Sequence, residues 1–292
     1  MRCIVIGGSG QVGHHLLRVI ESGGHRAVGT CTTHPQPGLV TLDIRDRDSV
    51  LLLISDVQPS VVFLAASCTN VDYCELNSDL AYAVNVVGTA HVLEAVNRVG
   101  AKLVFFSSDY IFDGKNGPYS EEAPACPISE YGEQKLIAEH LVALNVSDYL
   151  IVRTTVVYSR EPQARNFVQR LINTLREGKT VGAPADQIGT PTYAPNLAQA
   201  VLELSNEPVR GVINLAGPTL ASRYEFALCA ANVFGLDPTL IQSVPTSLLK
   251  QAARRPLNAG LKTDKAKRLL RTKLIGYEDG LRLMAAELQS DS

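Results

Sequence analysis

Short apolar strands and amphipathic helices alternate through the first half of the chain, and this alternation limits the fold more than any other feature. It begins with a strand over Cys3–Ile6, a run of glycines, and a helix that continues to about Glu21. The helix keeps its apolar residues at helical spacing, whereas the strands are apolar at nearly every position. Such strands are typical of a parallel sheet that helices cover on both faces. The pattern predicts an α/β fold with a doubly wound parallel sheet and ligands at the carboxyl ends of its strands.

The remaining elements of this sheet follow the same pattern. Further strands are predicted at 27–29, 39–42, 60–66, 102–106 and 149–154, and further helices at 49–55, 79–99 and 131–144. After Tyr158, prolines and glycines break the chain into shorter pieces, apart from a return strand near 211–216. We therefore predict a sheet domain over residues 1–158, joined by that return strand, and a smaller part over residues 159–292.

The composition excludes several classes of protein. Among 292 residues, 46% are apolar and 19% charged, and the net charge is -2, which lacks the basic footprint of a nucleic-acid-binding protein. The six cysteines lack zinc-site spacing, and the adjacent His14 and His15 diverge on a helix, so no metal site is predicted. No apolar run is long enough to span a bilayer. Because no secretory segment precedes Cys3, we expect a reduced, cytoplasmic setting.

Three glycines between the first strand and the first helix have the spacing of a dinucleotide-binding turn. Gly7 would permit the tight turn, Gly10 would let the backbone approach a pyrophosphate, and Gly13 would let helix and strand pack closely. The helix N-terminus adds N–H groups and positive potential. A plain strand-to-helix turn is the alternative, but the context favours a Rossmann-type NAD(P)-binding domain over residues 1–158.

The end of the second predicted strand bears on the choice of cofactor. A site for NAD usually carries an acidic residue here, which binds the ribose hydroxyls. The segment Gly29–His34 has no carboxylate, and Thr30 offers a hydroxyl without charge. The sequence shows no arginine beside this strand end that could bind a 2′-phosphate. We therefore predict NADP(H) as the cofactor, modestly preferred through Thr32, Thr33 and His34, with NAD(H) also bound.

Two further strand ends complete the predicted cofactor site. Asp43 and Ile44 follow the third strand, where they could meet the adenine amino group and ring. The alternative for Asp43 is a cap on the next helix. Ala65 and Ala66 are small residues at the end of a buried strand, where the cofactor must pass close to the backbone.

Three polar residues in the middle of the chain predict chemistry on a carbonyl group. Tyr131 and Lys135 are four positions apart and share a helix face, so the ammonium could lower the phenol pKa from about 10 toward neutrality. Ser108, just after an apolar strand, could donate a hydrogen bond to the same carbonyl oxygen. An isolated Tyr-x-x-x-Lys pair is usually only a solvated pair. Its place after the serine and the glycine turn favours a redox site.

Taken together, these motifs resemble the extended short-chain dehydrogenase/reductases and, more narrowly, the dTDP-4-dehydrorhamnose reductase family. The resemblance covers nearly the whole chain. Its most specific strings are Ser-x-Asp-Tyr-x-Phe-Asp-Gly and Asp-Gln-x-Gly-x-Pro-Thr. The matching segments are Gly7–Gly13, Asn85–Thr89, Ser108–Gly114, Tyr131–Lys135, Arg153–Thr155, Asp186–Thr192 and Arg255–Asn258.

The resemblance implies an NAD(P)H-dependent reductase of a nucleotide-linked 4-keto-6-deoxy sugar, with a catalytic triad of Ser108, Tyr131 and Lys135. It also implies that residues 159–292 mainly bind substrate, with Asp109 touching the sugar, and it leaves a homodimer open. Val156 stands where the family often has a tryptophan that lines the sugar pocket. The residues that the resemblance places around the nucleotide are Gly10, Gln11, Val12, Thr30, Asp43, Ile44, Ala65, Ala66, Ser67, Tyr131 and Lys135.

Two other functions fit the same fold. The regulatory subunit of methionine adenosyltransferase is similar, binds NADP and acts as a partner protein, and the segment Arg153–Tyr158, without the tryptophan, is somewhat closer to it. The intact triad favours an enzyme. A nucleotide-sugar epimerase or dehydratase is the second alternative. A dehydratase usually has an acidic pair after the catalytic serine, whereas Asp109 is followed here by Tyr110.

Overall fold

A computed structural model describes residues 1–289. Its main feature is a seven-stranded sheet in the order β11-β6-β5-β4-β1-β2-β3, in which all neighbouring strands are parallel. This confirms the predicted doubly wound α/β fold and the return strand, which is β11. The strands are β1 (Arg2–Ile6), β2 (Arg26–Cys31), β3 (Leu39–Thr41), β4 (Val61–Leu64), β5 (Lys102–Ser108), β6 (Tyr149–Thr154), β7 (Val157–Tyr158), β8 (Val181–Pro184), β9 (Ile188–Gly189), β10 (Thr192–Tyr193), β11 (Gly211–Asn214), β12 (Ala221–Ser222) and β13 (Ile241–Val244).

The helices alternate with these strands. They are α1 (Gln11–Ser22), α2 (Arg47–Val57), α3 (Val71–Leu76), α4 (Ser78–Tyr82), α5 (Thr89–Val99), α6 (Glu130–Asn145), α7 (Phe167–Arg176), α8 (Ala194–Ser205), α9 (Arg223–Val233), α10 (Asp264–Leu269) and α11 (Tyr277–Gln289). A π turn covers Ala83–Gly88, and short 3₁₀ turns cover Asp109–Ile111, Pro238–Leu240 and Thr246–Leu249. Within residues 1–289, no helix combines the length and the apolar character needed to cross a membrane.

The sheet is buried on both faces, as its apolar strands predict. Along β1, Cys3 and Val5 point into a core shared with α1 and α8, whereas Ile4 and Ile6 point into a core shared with α2, α5 and α6. All four side chains are fully buried. Because alternate residues of a strand face opposite sides, a continuous apolar strand supplies both cores at once.

The predicted helix over residues 79–99 forms, but it contains a π turn that the sequence did not predict. The chain forms α4, then the π turn over Ala83–Gly88, then α5. Ala81, before the π turn, packs with Tyr131, whereas Val92 and Val96, after it, pack on the sheet. The spacing of apolar residues along the helix therefore did not reveal the π turn. The wider turn lies beside the predicted site and holds Asn85, which is only 2% exposed.

The C-terminal half contributes to two layers of the molecule. Its helices α7, α9 and α11 surround a separate apolar core that includes Tyr158, Phe226 and Met284. Small two-stranded sheets, β7 with β10, β9 with β12, and β8 with β13, border this core. Helix α8, in contrast, packs on the main sheet beside α1. The division into residues 1–158 and 159–292 remains a prediction, and its last three residues lie outside the described range.

Candidate functional site

The glycine turn after β1 is too tight for side chains. Gly7 has a φ of +90°, and a Cβ there would lie 2.6 Å from the backbone nitrogen of Ala66. A Cβ at Gly13 would lie 2.1 Å from the Gly7 carbonyl oxygen. The turn is closed by Gly10, whose N–H donates to the Gly7 carbonyl oxygen at 3.0 Å. Both Gly7 and Gly13 are thus required by the close approach of β1, β4 and α1.

This turn suits a pyrophosphate group. Helix α1 begins after Gly10 without any side chain capping its first turn. The leading N–H groups of a helix, here those of Gln11, Val12 and Gly13, have no partner within the helix and attract anions. The Gln11 side chain lies against β7 and Ser159, with 3.0 Å between its amide and the serine hydroxyl. Its backbone, rather than its side chain, therefore faces the turn.

Thr30 lies beneath the turn. It is 1% exposed, and its Oγ1 accepts a hydrogen bond of 3.2 Å from the Gly7 N–H. Its hydroxyl thus helps to shape the turn. The hydroxyl of Thr32 donates to the Leu42 carbonyl oxygen at 2.7 Å, which ties β2 to the end of β3.

The expectation that no arginine stands beside this strand end is wrong. The guanidinium of Arg165 lies 3.0 Å from Nε2 of His34, although the two residues are 131 positions apart. Sequence spacing alone could not show this contact, because it depends on how the segment after β7 folds back over the glycine turn.

The neighbouring strand end holds Asp43 and Ile44. The Asp43 carboxylate is bound by the Arg45 side chain, which lowers the Asp43 pKa. The alternative of Asp43 as a helix cap is wrong, because Asp46 caps α2 by accepting from the Ser49 N–H. Ile44 is buried and packs against Gly88 of the π turn, where a Cβ would lie 2.6 Å from its Cγ1.

The π turn organises the end of β4. Oδ1 of Asn85 accepts from the Ser67 hydroxyl and from the Cys68 N–H, both at 2.8 Å. Its Nδ2 donates to Oε1 of Gln134 on α6 at 2.9 Å. This places Ala65, Ala66 and Ser67 between the glycine turn and α6. Asn85 and Gln134 were missed as site residues. Both lie in segments that match the family in sequence, and Asn85 is a polar residue inside an apolar helix pattern.

The predicted triad is brought together at the carboxyl end of β5. Ser108 is the last residue of β5, while Tyr131 and Lys135 lie on the inner face of α6, and all three are under 8% exposed. The Ser108 hydroxyl is in hydrogen-bonding contact with the Tyr131 phenol. The Lys135 ammonium lies over the Phe105 ring, 4.3 Å from its centroid.

Helix α6 can pack closely against the end of β5 because Gly132, in its first turn, has no side chain. Ser129 caps the helix by accepting from the Gly132 N–H at 3.3 Å. A Cβ at Gly132 would lie 2.2 Å from the Tyr110 carbonyl oxygen. Only glycine lets the first turn of α6 rest on the 3₁₀ turn that follows Ser108. The Tyr131 ring then packs edge-on against Tyr110, with centroids 5.6 Å apart.

Burial sets the protonation of the triad. It raises the pKa of the Tyr131 phenol above its ordinary value, and the hydrogen bond with Ser108 opposes this. It lowers the pKa of Lys135 to about 8, against the charge of Glu139. The predicted fall of the phenol pKa toward neutrality is therefore wrong, since desolvation outweighs the hydrogen bond with Ser108. The phenol keeps its proton at neutral pH, which is the form a proton donor needs.

Asp109 points toward the same space. Its carboxylate accepts from the Thr155 hydroxyl at 2.6 Å and from the Ser108 hydroxyl at 3.0 Å. Burial raises the pKa of Asp109 to about 6, while these hydrogen bonds and the charge of Arg223 lower it. Asp109 thus connects Ser108 with the residues after β6.

Val156 has a strained backbone. It has a φ of +45°, in the left-handed region that a β-branched residue rarely adopts. Its side chain packs near Gly189, where a Cβ would lie 3.3 Å from its Cγ2. Such strain persists where surrounding structure enforces it and is frequent at binding sites.

Two arginines from the C-terminal half also face this region, and sequence reasoning missed both. Arg223, at the start of α9, and Arg255 lie close enough to Tyr110 for their charges to lower its pKa, which burial raises. Arg255 also pairs with Asp72 at 2.9 Å. Anionic groups of a ligand would be attracted here. Among residues 1–289, no group of three or more His, Cys, Asp or Glu residues could hold a metal ion.

Comparison with known proteins fits this geometry. The family described as RmlD substrate binding domain matches residues 1–290. The spore coat polysaccharide biosynthesis protein SpsK of Bacillus subtilis is 33% identical over 87% of each chain. The dTDP-4-dehydrorhamnose reductase of Aggregatibacter actinomycetemcomitans is 30% identical over 89% of this chain and 90% of its own. The Bacillus anthracis dTDP-4-dehydrorhamnose reductase, solved in complex with NADP, superposes with a TM-score of 0.91 at 28% identity, covering 98% of this chain and 99% of its own. The family resemblance predicted from sequence is confirmed, and the chain belongs to the RmlD family.

Proposed function

We propose that this protein is an NAD(P)H-dependent reductase of a nucleotide-linked 4-keto-6-deoxy sugar, similar to dTDP-4-dehydrorhamnose reductase. The observation that carries the proposal is the buried cluster of Ser108, Tyr131 and Lys135 at the carboxyl end of β5. This cluster lies at the same sheet edge as the glycine turn, where doubly wound sheets bind their ligands. The reductases among its relatives support the same assignment.

The chemistry divides between the cofactor and the chain. When bound, a reduced nicotinamide supplies hydride to the keto carbon. Ser108 donates a hydrogen bond to the keto oxygen, and Tyr131 gives that oxygen its proton as negative charge develops. Lys135 stabilises the phenolate that remains and binds the nicotinamide ribose. The buried, protonated phenol supports this direction of proton transfer.

NADP(H) is the proposed cofactor, with NAD(H) also accepted. The glycine turn and the open N-terminus of α1 fit the pyrophosphate, because Cβ atoms at Gly7 and Gly13 would clash with backbone. The end of β2 offers no carboxylate to repel a 2′-phosphate. The NADP complex of the Bacillus anthracis relative supports this choice.

The substrate's diphosphate and sugar would bind between the two halves of the chain. Arg223 and Arg255 would attract the diphosphate, and Asp109 would contact the sugar. Val156 would line the sugar pocket in place of a tryptophan. We further propose a cytoplasmic protein, with a homodimer as the assembly to test.

An intact triad is the feature that favours an enzyme over a regulatory subunit. A non-catalytic dinucleotide-binding partner has no need for a serine, tyrosine and lysine buried together. The decisive screen measures oxidation of NADPH and NADH with dTDP-, UDP- and GDP-linked 4-keto sugars. Turnover with at least one sugar supports the reductase. No turnover, together with NADP binding and co-purification of a second enzyme, would support the regulatory alternative.

A further inference from the structure

The segment between β7 and α7, residues 159–166, folds over the glycine turn, and we call it the bridging loop. Three contacts join it to the turn and to α1. The Gln163 side chain donates to the Ser9 carbonyl oxygen at 2.7 Å, and the Arg160 carbonyl oxygen lies 3.2 Å from Nε2 of His15. Ser159 meets Gln11. The bridging loop thus contacts both the glycine turn and α1, the two parts of the chain that form the proposed pyrophosphate site.

A buried carboxylate gives this loop a fixed shape. Glu161, which is 6% exposed, accepts from the N–H groups of Gln163 at 3.0 Å, Arg165 at 2.6 Å and Asn166 at 3.3 Å. Ala164 adopts a φ of +51°, so the backbone reverses immediately before Arg165. Asn166 then caps α7 by accepting from the Gln169 N–H. The position of Arg165 is therefore set by its backbone on both sides.

The guanidinium of Arg165 reaches the end of β2. It lies 3.0 Å from Nε2 of His34, whose Nδ1 lies 2.8 Å from the Thr33 hydroxyl. Because arginine can only donate, Nε2 of His34 accepts this hydrogen bond. The side-chain partner of Arg165 is thus an imidazole nitrogen and not a carboxylate, and the guanidinium lies where the adenosine ribose lies in this fold.

We propose that Arg165, His34 and Thr33 form the binding site for the 2′-phosphate of NADP(H), completed across the cofactor by the bridging loop. This inference rests on the proposed dinucleotide function. The guanidinium, held in place by His34, would donate to two phosphate oxygens, and the Thr33 hydroxyl would donate a further hydrogen bond. A preference for NADP(H) would then come from the bridging loop and not only from the lack of an acidic residue on β2.

Calorimetric titration with cofactors and with cofactor fragments tests this site without measuring turnover. Wild-type protein should bind NADP⁺ more tightly than NAD⁺, and adenosine 2′,5′-bisphosphate more tightly than adenosine 5′-monophosphate. Arg165→Ala should weaken the binding of both 2′-phosphorylated ligands by about tenfold, equivalent to about 1.4 kcal/mol, because it removes a charge-assisted hydrogen bond to the phosphate. Its affinity for NAD⁺ and for the monophosphate should stay unchanged.

Matched variants separate charge from structure. Arg165→Lys should keep part of the preference, Arg165→Glu should reverse it, and Arg176→Ala, at an exposed arginine of α7, should leave it intact. Equal effects of Arg165→Ala on phosphorylated and unphosphorylated ligands, or no effect on either, would overturn the proposal. Failure of the wild type to bind any dinucleotide would instead overturn the proposed function.

Discussion

Arg153 donates to both carboxylate oxygens of Glu139 inside the protein, one helical turn beyond Lys135. The distances are 3.0 Å from Nε to Oε1 and 2.7 Å from Nη2 to Oε2, and the two side chains are 8% and 4% exposed. The charge of Glu139 also raises the pKa of Lys135 against the effect of burial. Glu139, which forms a buried ion pair with Arg153 between α6 and β6, thus favours the protonated form of Lys135.

Replacing Glu139 with Gln should therefore change the pH dependence of catalysis. Lysine acts in its charged form, so activity should fall as pH rises through its pKa, which is about 8 in the wild type. Without the carboxylate this pKa drops, and the alkaline limb of kcat/KM should move to lower pH. The variant should also lose about 3–5 kcal/mol of stability, because Arg153 stays buried without its partner. Glu133→Gln, on the exposed face of the same helix, is the control. An alkaline limb that does not move would contradict the link between Glu139 and Lys135.

Tyr131→Phe should abolish turnover while cofactor affinity stays within a few-fold of the wild type. The phenol acts mainly on the transition state, and losing a general acid typically lowers the rate by about 10²–10⁴-fold. Steady-state kinetics measure the turnover, and titration measures the cofactor affinity. Tyr82→Phe, at a tyrosine that is 41% exposed, should leave both unchanged. Substantial turnover in Tyr131→Phe would remove the proton donor from the proposed mechanism.

Asn85→Ala should lower the free energy of unfolding more than an average polar substitution. It leaves the Cys68 N–H and the Gln134 side chain without their partner in a buried place, and each unsatisfied group costs about 1–3 kcal/mol. Urea unfolding measures the difference in the free energy of unfolding between the variant and the wild type. Asn97→Ala, which removes a bond of 2.8 Å to the Asn145 carbonyl oxygen near the surface, is the matched control. Equal losses in the two variants would show that the π turn contributes nothing special to stability.

Val156→Trp should tighten binding of a dTDP-deoxysugar or raise turnover. It restores a flat apolar wall, and burying one large side chain contributes roughly 1.5–3 kcal/mol. Tryptophan is not β-branched and tolerates a φ of +45° with less strain than valine, so ligand affinity rather than stability reports on the pocket. Titration with a dTDP-deoxysugar measures the change. If affinity and turnover both fall, Val156 does not line the sugar pocket in the way proposed.

Features that depend on local spacing were predictable from the sequence. The apolar strands predicted the parallel sheet, because two buried faces require apolar residues at every position, and β1, β4, β5 and β6 formed near their predicted bounds. The glycine turn was predictable from the spacing of Gly7, Gly10 and Gly13, because a Cβ at Gly7 or Gly13 would clash with neighbouring backbone. Ser108, Tyr131 and Lys135 meet in one place because strand ends and following helices meet at one edge of such a sheet.

Features that depend on distant contacts were not predictable. Arg165 reaches His34 across 131 positions, only because the bridging loop returns to the glycine turn. Asn85 lies in a π turn that the spacing of apolar residues did not predict. The phenol pKa of Tyr131 was predicted in the wrong direction, because sequence spacing does not show the desolvation that raises it.

Transfer of deuterium from reduced cofactor to sugar tests the central claim most directly. The protein is incubated with dTDP-4-dehydrorhamnose and with NADPH carrying deuterium on the transferred position of the nicotinamide ring, and the sugar product is analysed by mass spectrometry and NMR. The account predicts one deuterium at C4 of the sugar for each NADPH oxidised, and none with Tyr131→Phe. Unlabelled sugar, or an epimerised sugar formed without net oxidation of NADPH, would contradict it.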